Sequence, residues 1–88
     1  MVKATVTIKN KSGLHARPAS VFVKETLKYK SAINIIVNGK EYNAKSILGV
    51  LAACARTGTE IEIQCIGEDE EAALKGMVAA VEAGLGEE

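Results

Sequence analysis

The sequence predicts an α+β fold, an open-faced two-layer sandwich in which a four-stranded antiparallel sheet carries three helices on one face, in the order βαββαβα. Three observations predict it. Four segments alternate apolar and polar residues with a period of two, the pattern of strands with one buried face. Three others place apolar residues at helical spacing. Between two of the strand segments stands Asn38-Gly39, the strongest short hairpin signal, which makes those two strands antiparallel neighbours. Strands with one polar face suit a sheet covered on one side only.

The elements follow in order. Val2, Ala4, Val6 and Ile8 alternate with Lys3, Thr5, Thr7 and Lys9 and make the first strand. Asn10-Lys11-Ser12-Gly13 turns the chain, and Ala19, Phe22, Val23 and Leu27 then share one face of a helix expected from about Ala16 to Tyr29. Ile33, Ile35 and Val37 form the second strand, and Lys40 to Asn43 returns beside it. A two-residue loop requires positive φ at Asn38 and Gly39 and sets Val37 opposite Lys40 and Ile35 opposite Tyr42. Ser46 is a good N-cap ahead of Ile47, Val50, Leu51 and Cys54, an i, i+3, i+4, i+7 stripe that defines a second, short helix. Thr57-Gly58-Thr59 ends it, and Ile61, Ile63 and Cys65 alternate with Glu60, Glu62 and Gln64 as the fourth strand. Gly67 opens a turn into Glu68-Asp69-Glu70-Glu71, whose charges suit the positive end of a helix. Leu74, Met77, Val78 and Val81 are its apolar face, with Gly84 and Gly86 as stops.

At 88 residues, the chain (1–88) is expected to be a single domain with a thin core, so any chemistry should sit near the surface. Eleven basic residues balance eleven acidic ones, and the zero net charge gives no general field to attract nucleic acid or an anionic membrane. No apolar run approaches a secretory segment or the ~20 residues of a membrane span, so a cytoplasmic protein is expected, without membrane insertion. Cys54 and Cys65 lack C-x-x-C spacing; without an export signal they read as reduced, buried hydrophobes. No metal site and no cofactor are indicated.

The most informative stretch is Gly13-Leu14-His15-Ala16-Arg17-Pro18-Ala19, which holds the only His and the only Pro. Proline fits only the first turn of a helix, so the helix begins within about three residues before Pro18 and His15 falls at or beside its N-cap. Unpaired N–H groups and a partial positive charge make that end an anion site. Arg17 adds a planar guanidinium suited to phosphate oxygens. A neutral imidazole is a nucleophile near neutral pH, so this position suits a phosphoryl acceptor. The plainer reading is a solvated cap residue with an Arg nearby. One His with no carboxylate or thiol neighbour supplies a single metal ligand, and no hydrolytic triad is visible.

This stretch resembles the phosphorylation-site motif of the HPr family, the histidine-containing phosphocarriers of the bacterial phosphoenolpyruvate-dependent sugar phosphotransferase system. The resemblance extends along essentially the whole chain. Asn43-Ala44-Lys45-Ser46-Ile47-Leu48-Gly49-Val50 resembles the family's second signature, whose serine is a regulatory phosphorylation site in many Gram-positive bacteria. The resemblance implies that His15 is phosphorylated on Nδ1 by Enzyme I and passes the group to IIA domains of sugar permeases, with Arg17 stabilising the phosphate. It implies further a kinase/phosphorylase acting on Ser46, a catabolite-control transcription factor as a partner, and a monomer that carries phosphate without being an enzyme. The chain departs from the family at Cys54, where relatives commonly have glycine, and at Leu48, where many have Met or Phe.

Leu48 lies about 100° from Ile47 around the helix and outside the apolar stripe, so it either widens the core face or stands exposed beside Ser46. In the second case Ile47, Leu48 and Leu51 form a docking patch with a rim of Arg17 and neighbouring lysines. Lys24, Lys28, Lys30 and Lys45 are candidates for a basic face, and the acidic cluster at 68–71 reads as a solvated helix start. Two alternatives stay open. One is a relative serving a nitrogen or other regulatory phosphorelay, including a module that binds a transcription factor through the Ser46 face. The other is a small acylphosphatase-like hydrolase using Arg17 with Asn10, Asn34, Asn38 or Asn43, which leaves the single His without a purpose.

Overall fold

The alternating segments form strands β1 (Val2–Thr7), β2 (Ala32–Val37), β3 (Lys40–Asn43) and β4 (Glu60–Ile66); the helical segments form α1 (Ala16–Thr26), α2 (Ile47–Ala53) and α3 (Glu70–Glu82). The computed structural model describes residues 1–87. All strand neighbours are antiparallel and the order is β1-β4-β2-β3, so the last strand is inserted between the first two. Ala4 faces Ile63, which faces Ile35, which faces Tyr42, and Cys65 stands between Val2 and Ile33. The alternate row, Thr5, Glu62, Ile36 and Glu41, occupies the opposite face because side chains alternate along every strand. Helices close the apolar face: Phe22 of α1, Val50 of α2 and Met77 and Val81 of α3 are buried with Ile33, Ile35, Ile61 and Ile63. Each such side chain contributes roughly 1.5–3 kcal/mol when fully removed from water. At the hairpin Asn38 and Gly39 take φ of 51° and 80°, and Val37–Lys40 and Ile35–Tyr42 are paired as the loop length dictates.

Three details correct the sequence reading. First, α1 ends at Thr26, short of Tyr29. Thr26 is buried, its hydroxyl donates to the Val23 carbonyl at 2.5 Å, and Leu27 becomes a C-cap residue 64% exposed rather than part of the core. The chain is then pinned by Asp69, whose carboxylate accepts bonds from the N–H groups of Lys30 and Ser31, at 2.9 Å each, and from the Ser31 hydroxyl. Asp69 is thus a tertiary clamp as well as the N-cap position of α3.

Second, α2 buries Val50 and Ala53, whereas Cys54 is exposed. Cys54 is the C-cap of α2 in the left-handed conformation, φ 52°, which turns its side chain out of the stripe. Cys65 is buried as expected, and both thiols are free. Third, the buried line of α3 is Ala73, Met77 and Val81, while Leu74 and Val78 are half-buried on its flank. The chain after α3 returns to the core: Gly84 N–H bonds the Val81 carbonyl at 3.1 Å and Leu85 N–H the Ala80 carbonyl at 3.2 Å, a Schellman pair that buries Leu85 to 1% exposure.

Candidate functional site

His15 is the N-cap of α1, in extended conformation (φ −89°, ψ −178°), and its side chain makes no capping bond. Its carbonyl accepts the Ala19 N–H at 2.7 Å, so the backbone is committed to the helix while the imidazole stands exposed. Pro18, at the third helical position, is buried and has no N–H; this leaves the amides of Ala16 and Arg17 as the free donors of the first turn. Arg17 is exposed two residues along from His15.

The loop that delivers His15 is held from several sides. Leu14 is buried and its N–H bonds the Ala55 carbonyl at 2.7 Å. Gly13, at φ 65°, packs so close to the Ala55–Arg56 backbone that a Cβ there would lie 2.5 Å from the Ala55 oxygen and 2.8 Å from the Arg56 Cα. Buried Asn10 donates from Nδ2 to the Gly13 carbonyl at 2.7 Å and to Glu87 Oε1 at 3.0 Å. Glu87 also accepts from the Ser12 N–H at 3.0 Å and the Ser12 hydroxyl at 2.9 Å. These bonds, that from Asn10 foremost, hold the Glu87 carboxyl below the ordinary carboxylate range, with a smaller contribution from the Arg17 charge.

Ser46 is the N-cap of α2, and its hydroxyl accepts the Gly49 N–H at 3.1 Å. Beyond it Ile47 is 40% and Leu48 75% exposed, with Leu51 half-buried, so an apolar surface flanks the serine. The structure joins this helix to His15: a concavity of about 260 Å³ is lined by Ser12, Leu14, His15, Leu51, Cys54, Ala55 and Arg56. A larger groove between β1 and α3, lined by Val2, Glu71, Leu74, Lys75 and Val78, holds no His, Ser or Cys.

The other sequence candidates meet only in part. Lys45 Nζ donates to the Tyr29 carbonyl at 2.6 Å, a bond across 16 residues that brings it beside the Lys28–Lys30 segment, while Lys28 pairs with Glu25 at 2.9 Å, which offsets its charge. Asn34 faces Asn43 across β2–β3 and Asn38 is in the hairpin, while Asn10 gives its amide N–H groups to the Gly13 carbonyl and Glu87 Oε1 and so has none to offer a phosphate beside Arg17. No group of three or more potential metal ligands occurs among the described residues, and no helix there is long and apolar enough to cross a membrane. Arg56 and Glu87 escaped the sequence reading. They are 41 and 72 positions from His15, and no local signal marks either.

The comparisons with known proteins define a class, small phosphocarriers with this open-faced sandwich. A family description, PTS HPr component phosphorylation site, matches residues 2–83. The chain is 49% identical over 77 residues to the phosphocarrier protein HPr of Mycoplasma capricolum, covering 88% of this chain and 86% of that one. It is 42% identical over 82 residues to the HPr-like protein Crh of Bacillus subtilis, covering 93% and 96%. The crystal structure of HPr-C-His from Thermoanaerobacter tengcongensis matches with a TM-score of 0.96 at 42% identity, over 100% of this chain and 99% of that one. The chain belongs to the HPr family.

Proposed function

We propose that this protein accepts a phosphoryl group from phospho-Enzyme I on His15 and passes it to IIA domains of sugar permeases. It acts as substrate and shuttle rather than as an enzyme. The observation that carries the reading is the imidazole of His15, exposed at a helix N-terminus and free of any capping bond. The lone pair of Nδ1 forms the P–N bond as the bond from phosphorus to the donor breaks, and that bond's electron pair leaves with the donor. The Ala16 and Arg17 amides and the Arg17 guanidinium stabilise the charge in transit. A surface site lets donor and acceptor reach the same atom in turn.

Ile47, Leu48 and Leu51 serve as the dry centre of the docking face, and Ser46 beside them as a regulatory phosphorylation site. A kinase/phosphorylase would act there and a catabolite-control transcription factor would read the result. A second reading, a role in a regulatory relay, is favoured by the same exposed patch, which stands whether or not His15 is modified. In both readings residues 1–88 act as one domain, monomeric and cytoplasmic. Crh has been solved as a dimer, and sedimentation of this chain at working concentration decides between the two states.

Incubation with Enzyme I and phosphoenolpyruvate, followed by intact mass, tests the carrier role. One acid-labile phosphoryl group is expected on the wild type and none on His15→Ala. Normal labelling of the variant overturns the assignment.

A further inference from the structure

Arg56 is the one permanently charged residue that lines the concavity beside His15, and no Asp or Glu lines it. Arg56 follows α2, yet its backbone is fixed against the His15 loop. Leu14 N–H bonds the preceding carbonyl of Ala55 at 2.7 Å, and the Arg56 Cα lies against Gly13, two residues before His15. On its other side Arg56 N–H donates to Thr59 Oγ1 at 3.2 Å and its carbonyl accepts the Thr59 N–H at 3.0 Å. Backbone and loop are therefore locked while the side chain is exposed, and among the described residues its guanidinium has neither an ion pair nor a hydrogen bond. Arg17 is likewise exposed and without an ion pair among the described residues, but it does not line the concavity.

We propose that Arg56 is a second phosphate-contacting residue, which holds oxygens of the phosphoryl group on His15 from the loop after α2 while Arg17 and the first amides of α1 hold it from the helix. The chemistry matches, since a tetrahedral phosphoryl group offers three oxygens and a planar guanidinium takes two of them side by side. A cation on each side spreads the stabilisation over the whole group. The apolar wall of Leu14, Leu51 and Ala55 limits competition from water when a partner covers the site.

This inference rests on His15 being the carrier, and the test separates the two. Wild type, Arg56→Ala, Arg56→Lys and the distant control Lys75→Ala are treated with Enzyme I and phosphoenolpyruvate, and intact mass gives the phosphoryl content. The phosphorus resonance of each product is then followed against pH. Loss of a nearby cation favours the more protonated form of both the phosphoryl group and the ring. The midpoint in Arg56→Ala should therefore rise, by roughly half a pH unit for a charge about 5 Å away in water. Arg56→Lys should fall between, because the charge stays and the fork is lost, and Lys75→Ala should match the wild type. A wild-type midpoint in Arg56→Ala, or an equal rise in Lys75→Ala, overturns the role of Arg56 alone. A wild type that gains no phosphoryl group overturns the carrier reading, and the Arg56 role with it. Unchanged melting temperatures across the set rule out a folding defect as the cause of a shift.

Discussion

Cys54 holds φ 52°, a conformation that costs a residue with a Cβ roughly 1–2 kcal/mol relative to glycine. A glycine there would avoid that cost, because α2 closes in the left-handed region where the chain turns toward β4. Cys54→Gly should raise the urea-unfolding free energy by about 1 kcal/mol. A loss instead would mean that the thiol contact to the Leu51 carbonyl, at 3.5 Å, outweighs the backbone strain. At Ser46 capping and regulation separate in the same way. Ser46→Ala removes the acceptor for Gly49 N–H and should lose ~1 kcal/mol while keeping the rate of His15 phosphorylation. Ser46→Asp retains a capping carboxylate, so stability should hold, while on the regulatory reading its charge beside Leu48 should slow phosphorylation of His15 by Enzyme I. Equal rates for Ser46→Asp and wild type would leave Ser46 a structural cap. Arg17 is exposed, and Arg17→Ala should slow phosphoryl exchange with no more than ~0.5 kcal/mol change in stability.

Between elements, the decisive contact is the loop before α1 against the loop after α2. Gly13→Ala combines a positive φ with a Cβ placed against backbone on the opposing loop, neither of which a rotamer change relieves. It should cost about 1–3 kcal/mol. It should also shift the amide resonances of Leu14, Ala55 and Arg56 together, because Leu14 N–H and the Ala55 carbonyl share the displaced bond. A stable variant with those resonances unmoved would show that the loops are not coupled. Much of this level was legible beforehand. Pro18 located the start of α1 and Asn38-Gly39 fixed the β2–β3 register, since both act through φ at neighbouring residues. The end of α1 was not legible, because Asp69 and the buried Thr26 set it from outside the local pattern.

Across the whole molecule, carboxylates tie distant segments together, and acid should loosen them in concert. The Asp69 carboxyl is lowered to about 2, chiefly by the Ser31 hydroxyl and then by backbone N–H groups. Glu70 is lowered by Gly67 N–H and the N-terminal ammonium, and Glu87 by Asn10 and Ser12. A carboxyl whose folded pKa is depressed binds its proton more readily when unfolded. Its contribution is therefore complete above the ordinary carboxylate range, near ~4, and is lost as pH falls toward its folded value. Stability measured by urea should fall steadily below about pH 4. Asp69→Asn should be less stable than wild type at neutral pH, with the gap closing toward pH 2, where the wild-type carboxyl is itself protonated. A gap independent of pH would assign the loss to packing and not to charge.

The sequence by itself determined the order of elements, the antiparallel hairpin register, the helix start at His15 and the N-cap at Ser46. Each is written in residues a few positions apart, where φ restriction, side-chain periodicity and capping operate. Tertiary structure alone decided that Leu48 is exposed while Leu85 is buried, that Cys54 leaves the core, and that Glu87 and Arg56 meet the His15 loop. Those outcomes depend on which segments the inserted strand β4 draws together, and contacts spanning 41 to 77 residues leave no periodicity for a sequence to display.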